Sequence, residues 1–497
     1  MTKPCEELEK ILEKTMALQT ALNLLWWDDD TLAPEKAGPY TERVIGALSG
    51  EYYRIMAGEE MKAAIAACEG AEDLSELEKV IRNEAKETRE QLTCIPAEEY
   101  QDNAQLVTES MRVWATAKKE NDFARYVPVL QKVVDYQKKF ASYRAEKGEK
   151  LYDVMLDLNE KGFHMEHLDK FFGELKETIV PLIRDIRVRG KKIENGFLTG
   201  DYPEDKQREV AEFLAEYVGF DFKKGVMGVS AHPFTASLHN HDVRITTNYS
   251  DRVDRSVFSV IHETGHAIYE MGIGDELTQT LAGQGTSTGM HECQARFFEN
   301  IIGRSAAFWV PLYEKLQAVF PEQLGGVSRE QFVEAINKAE PGLIRTEADE
   351  LTYSLHILIR YEIEKMIIEE DLDLIRLPEI WNSKYEEYLG IRPENEAEGV
   401  LQDIHWSDGS FGYFPSYALG SAFGAQLYYY MKKEMDFDGL LENGEIGVIR
   451  EYLREHIYRF GKLKTSREIL KDITGEDFNP RYYTQYLKEK YSHLYDL

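Results

Sequence analysis

Ser256-Val257-Phe258-Ser259-Val260-Ile261-His262-Glu263-Thr264-Gly265-His266-Ala267-Ile268-Tyr269 is a mostly apolar run interrupted by the pentad His262-Glu263-Thr264-Gly265-His266. The run predicts a helix over 255–271. Residues four apart on a helix share a face, so the imidazoles at 262 and 266 grip one ion from a single turn. Glu263, one position along, points to the side of that ion, where it takes a proton from a bound water. The plainer alternative is two histidines on a helix flank that satisfy each other. The trio of His, Glu and His at this spacing favours a zinc site.

Two imidazoles are too few, because a catalytic zinc takes three protein ligands and leaves one position open. Glu270, Glu276, Glu292, Glu299 and Cys293 are the nearby donors. Glu270 lies two turns from His262, too far along a straight axis to share an ion with it. A thiolate at 293 would add charge to the metal and weaken its acidity toward water. Glu292 follows a glycine-rich stretch (Gly283, Gly285, Gly289) and opens a new helix, so it can cross over to the metal. The expected ligand set is His262, His266 and Glu292, with His291 beside it rather than in it.

Outward from the pentad, the chain of 497 residues carries a net charge of −30 and 43% hydrophobic residues. A large core is available, and the acidity disfavours nucleic acid and anionic membranes, whose partners need Lys and Arg. No run of about 18 uncharged apolar residues occurs, so no transmembrane helix is expected. Met1 through Thr20 lacks an apolar signal core. The four cysteines, at 5, 68, 94 and 293, form no dense framework, which reads as a reducing, cytoplasmic setting.

Only 15 prolines and abundant Glu, Lys, Leu and Ala favour long helices. Helical periodicity is read over 6–27, 39–70, 73–91, 97–120, 123–146, 150–157, 168–189 and 204–218, and again over 306–319, 328–338, 346–370 and 377–388. Between them, Asp242-Val243-Arg244-Ile245-Thr246-Thr247 alternates and is β-branched, predicting a strand beside the zinc helix. Trp406–Gly420 reads as a loop rich in glycine and aromatics. The expected class is all-α with a small β element.

The chain resembles the thermostable-carboxypeptidase-type metallopeptidases, peptidase family M32. The resemblance rests on ordered motifs: His232-Pro233-Phe234, Asp242-x-Arg244-x-Thr246, the pentad at 262–266, His291-Glu292-x-Gln294, Ile344-Arg345-x-x-Ala348-Asp349, and Gly399-x-x-Gln402-Asp403-x-His405-Trp406. Cys293 stands where the family usually has Ser; the expected reading of that thiol is a small buried residue. The resemblance implies a single domain over 1–497, saddle-like with a deep cleft, whose N-terminal helices, approximately 1–120, form a lid with Trp26-Trp27 packed beneath it. It implies one zinc per chain, with cobalt possible, and a homodimer.

It further implies removal of single residues from peptides with a free C-terminal carboxylate. Glu263 is then the general base and acid, and Tyr417, assisted by His405, stabilises the oxyanion. Arg345 takes the terminal carboxylate, because its fork matches two oxygens; the competing reading is an ion pair with a neighbouring acid. Arg244 and His232 are further substrate-binding candidates. The main alternative is a helical zinc oligopeptidase that cuts internally. A non-enzymatic scaffold is disfavoured because His262, Glu263, His266 and Glu292 are all present.

Overall fold

The computed structural model describes residues 5–34 and 36–497. Residues 1–4 and 35 of the expected lid lie outside the described residues. The described residues are mainly helical, with one small sheet, and the chain forms two compact units. The first comprises Met1–Thr93, Glu194–Ile336 and Leu427–Asp477; the second comprises Cys94–Ile193, Asn337–Gln426 and Phe478–Leu497. The segment expected as a lid therefore contributes residues to both.

In the first unit, helix Glu6–Thr31 buries Leu8, Ile11 and Leu12 against Met56, Met61, Ile65 and Ile81. That core also takes in Ile273, Leu277 and Ala282, from the turn after the helix that carries the pentad. The helix expected over 39–70 breaks at Gly58, where an added Cβ would lie 2.9 Å from the Arg54 carbonyl. The two tryptophans part company: Trp27 is buried, and Trp26 is 51% exposed. Cys5 and Cys68 are disulfide-bonded, Cα to Cα 4.9 Å, a pairing across 63 residues that spacing did not suggest. Cys293 is buried and outside any disulfide.

The sheet is built from β1 (Gly225–Val229), β2 (Thr235–His239) and β3 (Asp242–Thr247), in the order β1-β3-β2. β3 pairs parallel with β1 and antiparallel with β2. Val243 and Ile245 are fully buried, and β3 and β2 both pack on the central helix Val253–Met271. Among the described residues, no helix is long and apolar enough to cross a membrane.

The second unit contains Ala97–Glu120 and Phe123–Arg144, which pack together across a turn at Asn121, held in the left-handed region at φ 56°. Helix Glu350–Glu369 is buried over most of its surface, its polar Glu350, His356, Arg360 and Glu364 included. Asp349 caps it, accepting from the Thr352 backbone N–H at 3.0 Å. The loop expected over 406–420 is instead a short helix His405–Asp408, a tight turn and a long helix from Pro415 to Glu434. Gly409 and Gly412, at φ 85° and 79°, make that turn possible.

Candidate active site

The central helix presents His262 and His266 on one face, their ring centroids 4.9 Å apart. Helix Thr288–Arg296 crosses close by, because Gly265 has no side chain: an added Cβ would lie 2.8 Å from the Ala295 Cα. The crossing delivers Glu292. Its Oε2 lies 3.9 Å from His262 Nε2 and 3.7 Å from His266 Nε2. Three donors with this mutual spacing, two imidazole and one carboxylate, suit a tetrahedral divalent ion with a fourth position open. The residues present therefore fit a zinc-type metal.

Each donor is oriented from behind. Arg296 Nε donates to Glu292 Oε1 at 2.7 Å, which turns Oε2 toward the histidines. His262 Nδ1 lies 2.9 Å from Glu299 Oε2, and Arg296 Nη1 donates to that same oxygen at 3.1 Å. Burial alone would raise the Glu299 carboxyl, but Arg296, His262 and Arg304 outweigh it and hold the group well below the usual carboxylate range. Glu299 sits in a π-helical turn, Phe297–Ile302, whose i→i+5 bonding rotates side chains out of simple α-helical register. His266 Nδ1 meets His291 Nδ1 at 2.6 Å, and His291 Nε2 meets Glu270 Oε1 at 2.8 Å. His291 is thus behind a donor and not among the donors. The sequence weighed Glu270 and Glu299 as ligands; here both anchor histidines.

Glu263 is buried, next to the donor triangle, and Thr235 Oγ1 donates to its Oε2 at 2.7 Å. Burial raises its carboxyl above the ordinary value.

The second unit gathers another cluster. His405 lies 6.3 Å from Tyr417 and 5.7 Å from Tyr413, ring to ring. The Arg345 guanidinium stands 5.1 Å from the Tyr417 ring centroid. Burial and then Arg345 depress the His405 imidazole to about 4, so at neutral pH it is uncharged. Arg345 is 7% exposed, and Nε and Nη2 both lie 2.9 Å from Asp403 Oδ1. Arg360, wholly buried, takes Asp403 Oδ2 through Nε at 2.7 Å and Nη2 at 2.6 Å. The ion pair weighed for Arg345 is present, with Asp403 as the acid.

Arg244 pairs bidentately with Asp242, with both contacts at 2.9 Å, and stacks over Trp27 at 5.0 Å. His232 is exposed, and its carbonyl accepts from Ser230 Oγ at 2.7 Å.

Comparison with known proteins settles the family. Residues 7–491 match the carboxypeptidase Taq (M32) metallopeptidase family. The chain belongs to that family. It is similar to carboxypeptidase 1 of Bacillus subtilis, 42% identical over 493 residues, covering 99% of this chain and 98% of that protein. It is 34% identical to thermostable carboxypeptidase 1 of Pyrococcus furiosus, covering 98% of each. The crystal structure of the M32 carboxypeptidase from Deinococcus radiodurans superposes with a TM-score of 0.95 at 32% identity, covering 99% of this chain and 100% of that one. The M32 fold, like this one, is mainly helical, and the chain is an enzyme of carboxypeptidase type.

Proposed function

We propose that this M32 enzyme removes single amino acids from peptides that end in a free carboxylate, using a divalent ion held by His262, His266 and Glu292. Zinc is the metal we assign, and cobalt suits the same nitrogen and oxygen donors. The observation that carries the reading is the donor triangle with the buried Glu263 carboxylate alongside it. A divalent ion there supplies Lewis-acid polarisation of the scissile carbonyl and acidifies water.

The residues supply the rest. Glu263 accepts the proton as water attacks and returns it to the leaving amine. Tyr417 donates to the developing oxyanion, and neutral His405 assists. Arg345 takes the terminal carboxylate, its orientation fixed by Asp403. The same reading assigns a homodimer; the cytoplasmic setting read from the cysteines has to accommodate the Cys5–Cys68 disulfide.

Mass spectrometry of a peptide incubated with the enzyme tests this. The expected product is a ladder shortened one residue at a time from the carboxyl end, absent after chelation and absent for the C-terminally amidated peptide. Internal fragments from the amidated peptide would overturn the exopeptidase reading in favour of an oligopeptidase.

Glu299 gives a separate check on the metal. Glu299→Gln weakens the acceptor behind His262, and carboxylates in that position commonly contribute about 10–100-fold to metal affinity. Competition with a chelating dye is expected to show a loss of that order, and an unchanged affinity would argue that His262 needs no such support.

A further inference from the structure

We infer that Thr235 is a positioning residue for Glu263, and that the motifs His232-Pro233-Phe234 and Asp242-x-Arg244-x-Thr246 form the frame that holds its hydroxyl in place. The inference rests on Glu263 being the proton acceptor proposed above.

A glutamate on a helix has three rotatable bonds, and only some of its rotamers place a carboxylate oxygen where water is to be deprotonated. Thr235 removes that freedom. Its Oγ1 has one proton to donate, and the shorter contact, 2.7 Å against 3.2 Å to the Glu263 carbonyl oxygen, directs it to Glu263 Oε2. The bond occupies Oε2 and leaves Oε1 to accept a proton.

Thr235 faces the helix only in one register, since a slip of one residue would turn it to the opposite side of the strand. Thr246 fixes that register. Its backbone N–H donates to the Phe234 carbonyl at 2.9 Å, and its Oγ1 accepts from the Phe234 N–H at 2.9 Å. The Thr246 side chain is wholly buried, and the Ser230 hydroxyl lies 2.7 Å from it. Ser230 also donates to the His232 carbonyl, which ties down the start of the turn into β2. The Asp242–Arg244 pair holds β3 against Trp27, and Asn23 Nδ2 of the same first helix donates to the Ser237 carbonyl at 3.1 Å. Two motifs that supply neither metal ligand nor general base thus acquire one purpose.

Kinetics of three variants test this, each measured with its metal content. Thr235→Val keeps shape and strand propensity and removes the donor. A hydrogen bond to a charged group is worth roughly tenfold or more in rate if it forms the reactive geometry, so kcat is expected to fall by about tenfold or more, with KM changed less than about twofold. Thr235→Ser restores the donor and is expected to recover most of the lost kcat. Thr246→Val leaves Thr235 intact but removes the Phe234 N–H acceptor, and is expected to lower kcat in the same direction; it carries the test if Thr235→Val does not fold. Glu263→Gln is the control. If Glu263→Gln is inactive while Thr235→Val, or Thr246→Val in its place, keeps native kcat, the inference is overturned and the base assignment stands. If Glu263→Gln remains active, the base assignment fails first. Loss of metal in Thr235→Val, or no recovery in Thr235→Ser, would make Thr235 merely structural.

Discussion

Glu263→Gln is expected to lower kcat by about 10²–10⁴-fold, with KM and metal content near native. The substitution changes little except proton affinity. Glutamine has the same shape, and its carbonyl still accepts from the Thr235 hydroxyl that now meets Oε2 at 2.7 Å. His262, His266 and Glu292 are untouched, so the ion stays. An amide cannot accept the proton that water must lose, and the site offers no ready substitute: Glu292 is turned to the histidines by Arg296, and Glu299 is committed to His262 and Arg296. Steady-state kinetics on a short peptide, with metal measured by atomic emission, checks this. Retention of more than about a tenth of native kcat in metal-replete protein would remove Glu263 from the mechanism.

Asp403→Ala is expected to produce the largest loss of stability. Asp403 lies between two buried guanidiniums, Arg345 at 7% exposure and Arg360 at 0%. Burial by itself would raise this carboxyl, but Arg360 and then Arg345 overcome it and hold the group well below its ordinary value. Without it, two like charges remain side by side and largely shielded from water. Breaking a buried pair by deleting one partner costs about 3–5 kcal/mol, and here two partners are stranded together. Calorimetry should show a thermal midpoint lowered by roughly 10 °C, at about 2–4 °C per kcal/mol for a unit of this size. Asp403→Asn, which keeps the shape and part of the hydrogen bonding, should fall between. The sign with pH follows from the depressed value. The contribution is complete above the ordinary aspartate range and is lost only as pH falls through the folded-state value. A native midpoint for Asp403→Ala would mean that the two arginines are solvated in a way their burial does not suggest.

Legibility in the sequence followed the range of each interaction. The helix expected over 255–271 is Val253–Met271, and the strand expected over 242–247 is Asp242–Thr247, because both carry their periodicity in their own residues. Glu292 was within reach for a related reason: a glycine-rich stretch followed by a helix is a local signal. β1 and β2 were not legible. Gly225–Val229 holds two glycines and no alternation, Thr235–His239 is half-buried throughout, and each is a strand because β3 pairs with it. The turn around Gly409 and Gly412 concealed the start of a long helix at Pro415, since glycine and aromatic residues resemble loop when their packing is unknown. Glu299 was visible as a carboxylate near the site, but the π-turn that aims it at His262 has no counterpart in simple helical spacing. Arg360 was not legible either: its partner lies 43 positions away at Asp403, beyond any periodic pattern.

Gly265 bears on how firmly a cation can be held. The gap between the two crossing helices is set by the hydrogen that stands where other residues have a methyl, and that gap also determines how far Glu292 stands from the two imidazoles. Tightness of the crossing and grip on the cation are therefore a single quantity. Heat that pries the helices apart widens the triangle of donors in the same motion, and a captured cation works as a rivet that resists the prying.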